Sequence, residues 1–218
     1  MVRLLVLAAM ALPVAPQAPP QVHEARVSSF HASVAPLSPA VRATLRTGHF
    51  WHHGCPVALS GLRVLTLTYR GFDGRRHTGR IVVNASATQP LVRVFRKLYA
   101  LHFPIRKMGI EPIGADTTAS FSCREAVPSP CTKGRTGTGS WSMHAFGLAV
   151  DVNPRENPYV GCGQSRDPAT RPYFDRTRHR KGMVTGRLVA AFASVGWGWG
   201  GAWAGDTKDH MHFSSTGH

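Results

Sequence analysis

With 218 residues, 43% hydrophobic and 17% charged, the chain is long enough for one domain with a core and short for two. Its 26 Lys and Arg against 11 Asp and Glu give a net charge of +15. That charge disfavours cationic partners and favours polyanions such as nucleic acid, an anionic membrane or a bacterial wall; a merely solvated Arg-rich surface carries the same charge.

In chain order, residues 1–18 read as a secretory signal. Arg3 is the charged start, Leu4 to Leu12 the apolar stretch, and small residues follow. The apolar run falls short of the roughly 20 residues that span a bilayer, so no transmembrane segment is expected in the mature chain. Residues 19–50 read as leader and linker, Pro-rich up to Pro20, with one short helix near Pro39 to Arg46. The folded domain is expected over 51–218.

Leu62 to Tyr69 alternates apolar and polar residues, the pattern of a half-buried strand. Asp73-Gly74 is a turn signal, and Gly79 to Asn84 is a second strand, which together predict a β-hairpin. Thr88-Gln89-Pro90 opens a helix whose Leu91, Val94, Phe95, Leu98 and Leu101 share one face, and Pro104 ends it. Ile105 to Ile113 reads as extended, and residues 115–140, rich in Thr, Ser, Gly and Pro, as a long loop. Leu148 to Val152 is a buried strand, 154–182 a second long loop, Val184 to Val195 a second amphipathic helix closed by Gly196, and Met211 to Ser214 the last strand. This order predicts an α+β fold with a small, mainly antiparallel sheet and two main helices.

Four cysteines in an exported chain imply two disulfides. Cys123 and Cys131 enclose a short Pro/Ser segment and are the expected pair, leaving Cys55 with Cys162. No C-x2-C pair is present, which argues against an all-cysteine zinc site. His52-His53 beside Cys55 reads as a solvated loop rather than a metal site. Trp197 and Trp199 read as packing, and Asp116 as either a cleft hydrogen-bonder or a turn residue.

Two polar clusters carry the chemistry. Ser142-Met143-His144-Ala145-Phe146-Gly147-Leu148-Ala149-Val150-Asp151 supplies a His and an Asp, and Asp209-His210-Met211-His212-Phe213 supplies a further His. His, Asp and His is the ligand set of an open catalytic zinc site, with one position left for water. On one flat strand the odd offset from His144 to Asp151 would point the two side chains to opposite faces, so Gly147 must mark a bend. Strand alternation puts His210 and His212 on one face, so either could complete the set.

The first cluster resembles the S-x-H-x-x-G-x-A-x-D signature of the VanY-like zinc peptidases (LAS-type metallopeptidases), which include D-alanyl-D-alanine carboxypeptidases and L-alanyl-D-glutamate endopeptidases. The second resembles their D-x-x-H-F signature. Phe121-Ser122-Cys123-Arg124, Asn153-Pro154, Asn157-Pro158-Tyr159 and Gly196-Trp197-x-Trp199-Gly200-Gly201-x-Trp203 add to the likeness, which covers roughly residues 50–214. The resemblance implies a hedgehog/D-Ala-D-Ala-peptidase-like zinc fold. It implies Zn2+ held by His144, Asp151 and His212, with His210 at the pocket rim. It implies Asp209 as general base and then acid, and Arg124 as the group that binds a substrate carboxylate or steadies the oxyanion. Ser142 and Trp203 become substrate contacts, Ser142 alternatively a donor to the residues around the metal. The chain departs from the family at Ala202 and Ser214, where polar residues are frequent, and neither is a ligand position.

The function implied is a secreted, cell-envelope zinc metallopeptidase, expected as a monomer, that cuts peptidoglycan stem peptides. The alternative is a non-catalytic zinc-containing wall-binding module, against which Asp209 stands, since pure binding needs no base. A nucleic-acid partner is not expected, because neither a helix-turn-helix pattern nor aromatic-basic interleaving is present.

Overall fold

The computed structural model describes residues 29–112, 116–126, 140–161 and 164–218. The signal expected over 1–18 lies outside them, as do Cys131 and Cys162. The elements are β1 (Ala32–Pro36), α1 (Pro39–Thr47), β2 (Leu62–Arg70), β3 (Arg76–Asn84), α2 (Thr88–Ala100), β4 (Lys107–Met108), β5 (Thr117–Thr118), β6 (Ala149–Asp151), β7 (Tyr159–Val160), α3 (Gly186–Ala193), β8 (Gly198–Trp199), β9 (Lys208–Asp209) and β10 (His212–Ser214). The fold is α+β, and among the described strands only β4 and β5 pair in parallel.

The hairpin forms where its sequence places it. Residues 62–70 and 76–84 pair antiparallel, and Asp73 Oδ1 accepts the Arg75 N–H at 2.9 Å to shape the turn. β2 is not half-buried, however. Leu65, Leu67 and Tyr69 face α2, whereas Leu62 and Val64 face a second apolar cluster around α1. A covered second face needs a partner, and α1 supplies it through buried Val41 and Leu45.

That partner comes from the stretch read as linker. Ser38 Oγ caps α1 by accepting the Val41 N–H at 3.3 Å, and Pro39 opens the helix at no hydrogen-bond cost. β1 adds to the edge of β2, with Ala32 to Pro36 opposite Leu67 to Arg63. Residues from 32 on are therefore built into the same body as the rest. Mostly solvated on its own, β1 gave no alternating apolar signal to read.

α2 lays Leu91, Val94, Phe95 and Leu98 on the other face of the hairpin, and α3 adds Leu188 and Phe192 to the same core. Full burial of each such side chain contributes roughly 1.5–3 kcal/mol. Phe192 stacks on Phe213 with centroids 3.9 Å apart, which fixes β10 to α3. β10 lies between β6 and β8 in a three-stranded antiparallel sheet. The segment read as a loop after Ala115 begins as a strand: β5 pairs with β4, and Ala119 bridges to Asp151.

The cysteine pairing differs from expectation. Cys55 is bonded to Cys123, with their Cα atoms 5.9 Å apart, so Cys123 is not paired with Cys131 nor Cys55 with Cys162. The reason is local: the Cys123 N–H donates to the Phe50 carbonyl at 2.9 Å, which draws residue 123 alongside the 50–55 loop. Closeness in sequence to Cys131 is overridden by this backbone pairing. The bond closes a loop of sequence separation 68. Replacing both cysteines by alanine should therefore cost up to about 4 kcal/mol of stability, measured by denaturant unfolding. Peptide mapping without reductant should recover residues 55 and 123 in one linked fragment.

Candidate metal centre and active site

Three segments deliver the site. His144 sits in a tight turn in which the Ala145, Phe146 and Gly147 N–H groups donate back to the carbonyls of Ser142, Met143 and His144. Gly147 ends that turn at φ +66°, where a Cβ would lie 2.6 Å from the Asn84 nitrogen. The approach is needed, because Asn84 N–H donates to the Gly147 carbonyl at 2.9 Å and its side-chain amide to Phe146 O at 3.0 Å. The bend inferred from the odd His144–Asp151 offset is thus present, clamped to the end of β3. Asp151 ends β6, and the β6–β10 register sets it directly opposite His212.

The three ligand atoms form a near-equilateral triangle. His144 Nε2 is 3.1 Å from His212 Nδ1 and 3.2 Å from Asp151 Oδ1, and His212 Nδ1 is 3.3 Å from the same oxygen. Ligands about 2.0–2.1 Å from a tetrahedral zinc lie about 3.3–3.4 Å from one another, so the triangle fits that ion. The orientation of His144 is fixed from behind: its Nδ1–H donates to the Ser120 carbonyl at 2.6 Å, which leaves the Nε2 lone pair facing Asp151 and His212. Asp151 Oδ1, buried, has no hydrogen-bond donor of its own. Converging acceptors with so little donor supply suit a cation.

Electrostatics separate the two carboxylates. Burial pushes Asp151 up, but the two histidines outweigh it and hold the carboxyl far below its ordinary value. Burial also draws His212 down, and Asp151 more than offsets this, so the imidazole is raised. Asp209 behaves oppositely: burial, reinforced by the Asp151 charge, raises its carboxyl to about 7, while His212 and Arg124 pull it down. One acid kept ionised and one poised near neutrality is the division of labour that acid–base chemistry needs.

Local backbone explains why Asp209 and His212 share a site. β9 and β10 are separated by a bend at His210–Met211, so strand alternation does not run through both. Gly200 lets β9 close in, since a Cβ there would lie 2.5 Å from the Asp209 carbonyl oxygen. The bend also settles which histidine joins the trio: His210 stands apart, its ring 5.7 Å from that of Trp199. Burial, with the charges of Arg176 and Lys208, lowers His210 to about 4 and keeps it neutral.

The other expected site residues have these positions. Arg124 is exposed, and its charge acts on Asp209. Ser142 is buried, and its Oγ accepts the His144 N–H at 3.3 Å, so it shapes the turn that carries the ligand. The Trp203 ring lies 5.8 Å from that of His212, and its Nε1–H donates to the Gly217 carbonyl. Asp116 is not a turn residue alone: it accepts from Arg155 at 2.9 Å in an ion cluster with Arg106 and Glu156. His52 lies against Cys55 and Cys123, but the sulfurs are bonded to each other and offer no thiolate.

Several supports have roles that the sequence does not display. The Ser120 carbonyl is one. Asn153, buried at φ +46°, is another: its amide donates to Pro104 O and Gly182 O, and its Oδ1 accepts the Arg106 N–H. Asn157 holds Val184 N–H at 2.6 Å and donates to Val152 O. Together they pin the chain just past Asp151; the Asn-Pro pairs marked these positions without showing what they do.

Comparison with known proteins agrees with this geometry. No curated protein and no solved structure matches the chain. A family model described as D-alanyl-D-alanine carboxypeptidase matches residues 136–215, the stretch that carries Ser142, His144, Asp151, Asp209 and His212. Over residues 136–215 the chain is thus similar to the D-alanyl-D-alanine carboxypeptidase family, in line with the VanY-like peptidases that its sequence resembles.

Proposed function

We propose that the protein is a secreted, monomeric, zinc-dependent peptidase that hydrolyses peptidoglycan stem peptides, at a D-Ala–D-Ala or an L-Ala–D-Glu bond. The observation that carries this reading is the His144, Asp151 and His212 triangle with a carboxyl poised near neutrality beside it. A Cys55–Cys123 bond supports an oxidising, extracytoplasmic location.

His144 Nε2, Asp151 and His212 Nδ1 would hold the zinc, which would supply Lewis acidity for the scissile carbonyl and for the attacking water. The chain's own residues do the rest. Ionised Asp209 accepts a proton as water adds to the carbonyl carbon, then returns it to the amine as the C–N bond breaks. Arg124, at the open side, holds a substrate carboxylate or the developing oxyanion. Trp203 walls the cleft beside His212. Ser142 acts on substrate only through the turn it holds.

Three outcomes are expected. Muropeptides incubated with the protein should lose a stem-peptide fragment by mass spectrometry, chelator should stop this, and added zinc should restore it. No cleavage with zinc present would favour a wall-binding module. Asp209→Asn should lower kcat by roughly 10²–10⁴-fold with one zinc per chain still bound, read by metal analysis. A base must be ionised to work, so kcat/KM should hold above the Asp209 pKa and drop tenfold per unit below it. Without metal that pKa is raised to about 7, and bound cation lowers it, so the acid limb should have its midpoint at or below 7.

A further inference from the structure

Away from the metal ligands, two cavities of about 240 and 450 Å3 adjoin, sharing His102, Pro104 and Lys181 in their walls. The smaller adds His179 and Arg187, and the larger adds Arg70. None of the residues lining either cavity is acidic. Asp73, beside the wall residue Gly74, is occupied: it accepts from His77 at 2.9 Å and from the Arg75 N–H. Three permanent cations and two imidazoles therefore line these two adjoining cavities, which together make the groove.

Two of the cations, Lys181 and Arg70, are held in place by the fold. Lys181 Nζ donates to the Phe72 carbonyl at 2.6 Å and lies over the Phe72 ring, which leaves further N–H donors for a ligand. The Arg70 guanidinium lies 4.8 Å from the Tyr99 ring centroid. The groove floor is rigid, because Pro104 O and Gly182 O both accept from the buried Asn153 amide. Fixed donors forfeit less entropy when an anion binds.

We propose that this groove is a binding site for a phosphodiester polyanion without bases, a sugar- or polyol-phosphate chain. Arg and Lys side chains suit phosphate oxygens, and a row of them suits a repeating charge. Aromatic occupancy argues against single-stranded nucleic acid. Bases need open aromatic faces to stack on, yet Phe103 in the groove wall is buried, and nearby Phe72 carries Arg106 at 4.3 Å and Lys181 at 5.6 Å, while Tyr99 carries Arg70. Bound there, such a polymer would hold the protein on a phosphate-bearing matrix with the metal centre unoccupied by the anchor. This inference does not depend on the peptidase reading.

The test is calorimetric titration of the full chain with a linear polyphosphate and with a poly(glycerol phosphate), at low and physiological salt. Lys181→Ala/Arg187→Ala removes two exposed charges from the groove. Arg46→Ala/Arg63→Ala removes two from the α1 side, where Arg63 stands about 23 Å along β2 from Arg70. Both polymers should bind, with affinity falling as salt rises. The groove variant should weaken binding at least tenfold and reduce the salt slope by about 2, and the α1-side variant should change it less than twofold. Equal loss in both variants would mean diffuse surface charge and overturn the site. Failure of both polymers to bind would overturn it too, as would tighter, groove-dependent binding of single-stranded DNA. None of these readouts involves cleavage or zinc, so the result stands whatever the peptidase assay gives.

Discussion

The register of β6 against β10 is the constraint on which the site depends. It places Asp151 opposite His212, and a slip of one residue would turn every side chain of β10 to the other face. The slip is resisted by what lies behind the strand: Phe213, fully buried, stacks on Phe192 of α3. Packing of an apolar ring thus sets the position of the polar residue before it. His144 enters from a separate turn, yet that turn is clamped to β3, and β3 belongs to the same core.

Charge follows from this arrangement. Gathering two imidazoles and a carboxylate in a buried place costs desolvation that only an opposite charge can offset. Asp151 is offset by the histidines, and a cation would complete the balance. Asp209 is left with the Asp151 charge nearby and too little water, which raises its carboxyl. Its proton affinity is therefore a by-product of where β9 closes against Gly200, not of anything in the aspartate itself.

Sequence reading reached the hairpin, α2 and the Gly147 bend, because each rests on a local pattern: alternation, 3.6-residue spacing, or an offset that strand geometry forbids; alternation left His210 and His212 open, and only the motif resemblance singled out the His212 that stands with His144 and Asp151. It missed β1 and the second core face, since a solvated edge strand carries no periodic signal, and α1, though recognised as a helix, shows its apolar stripe only against a partner. The Cys55–Cys123 pairing was misread because short separation outweighed a backbone hydrogen bond that no sequence displays. For Ser142 the motif left two roles open, substrate contact or a donor beside the metal, and its hydroxyl lies against the His144 amide. Ser120 could not have been found at all, as the group that orients His144 is a main-chain oxygen.

The disulfide divides the chain in a way that bears on assembly. Residues 55–123 form a covalently closed ring holding the hairpin and α2, and His144, Asp151 and His212 all lie beyond it. The disulfide and the His144, Asp151 and His212 trio thus belong to different stretches of chain. They meet through main-chain contacts from residues inside the ring, among them Asn84 against Gly147, Ala119 against Asp151 and the Ser120 carbonyl oxygen, which fixes the tautomer of His144 outside it. A closed ring therefore presents a ready-made acceptor to the turn that carries His144.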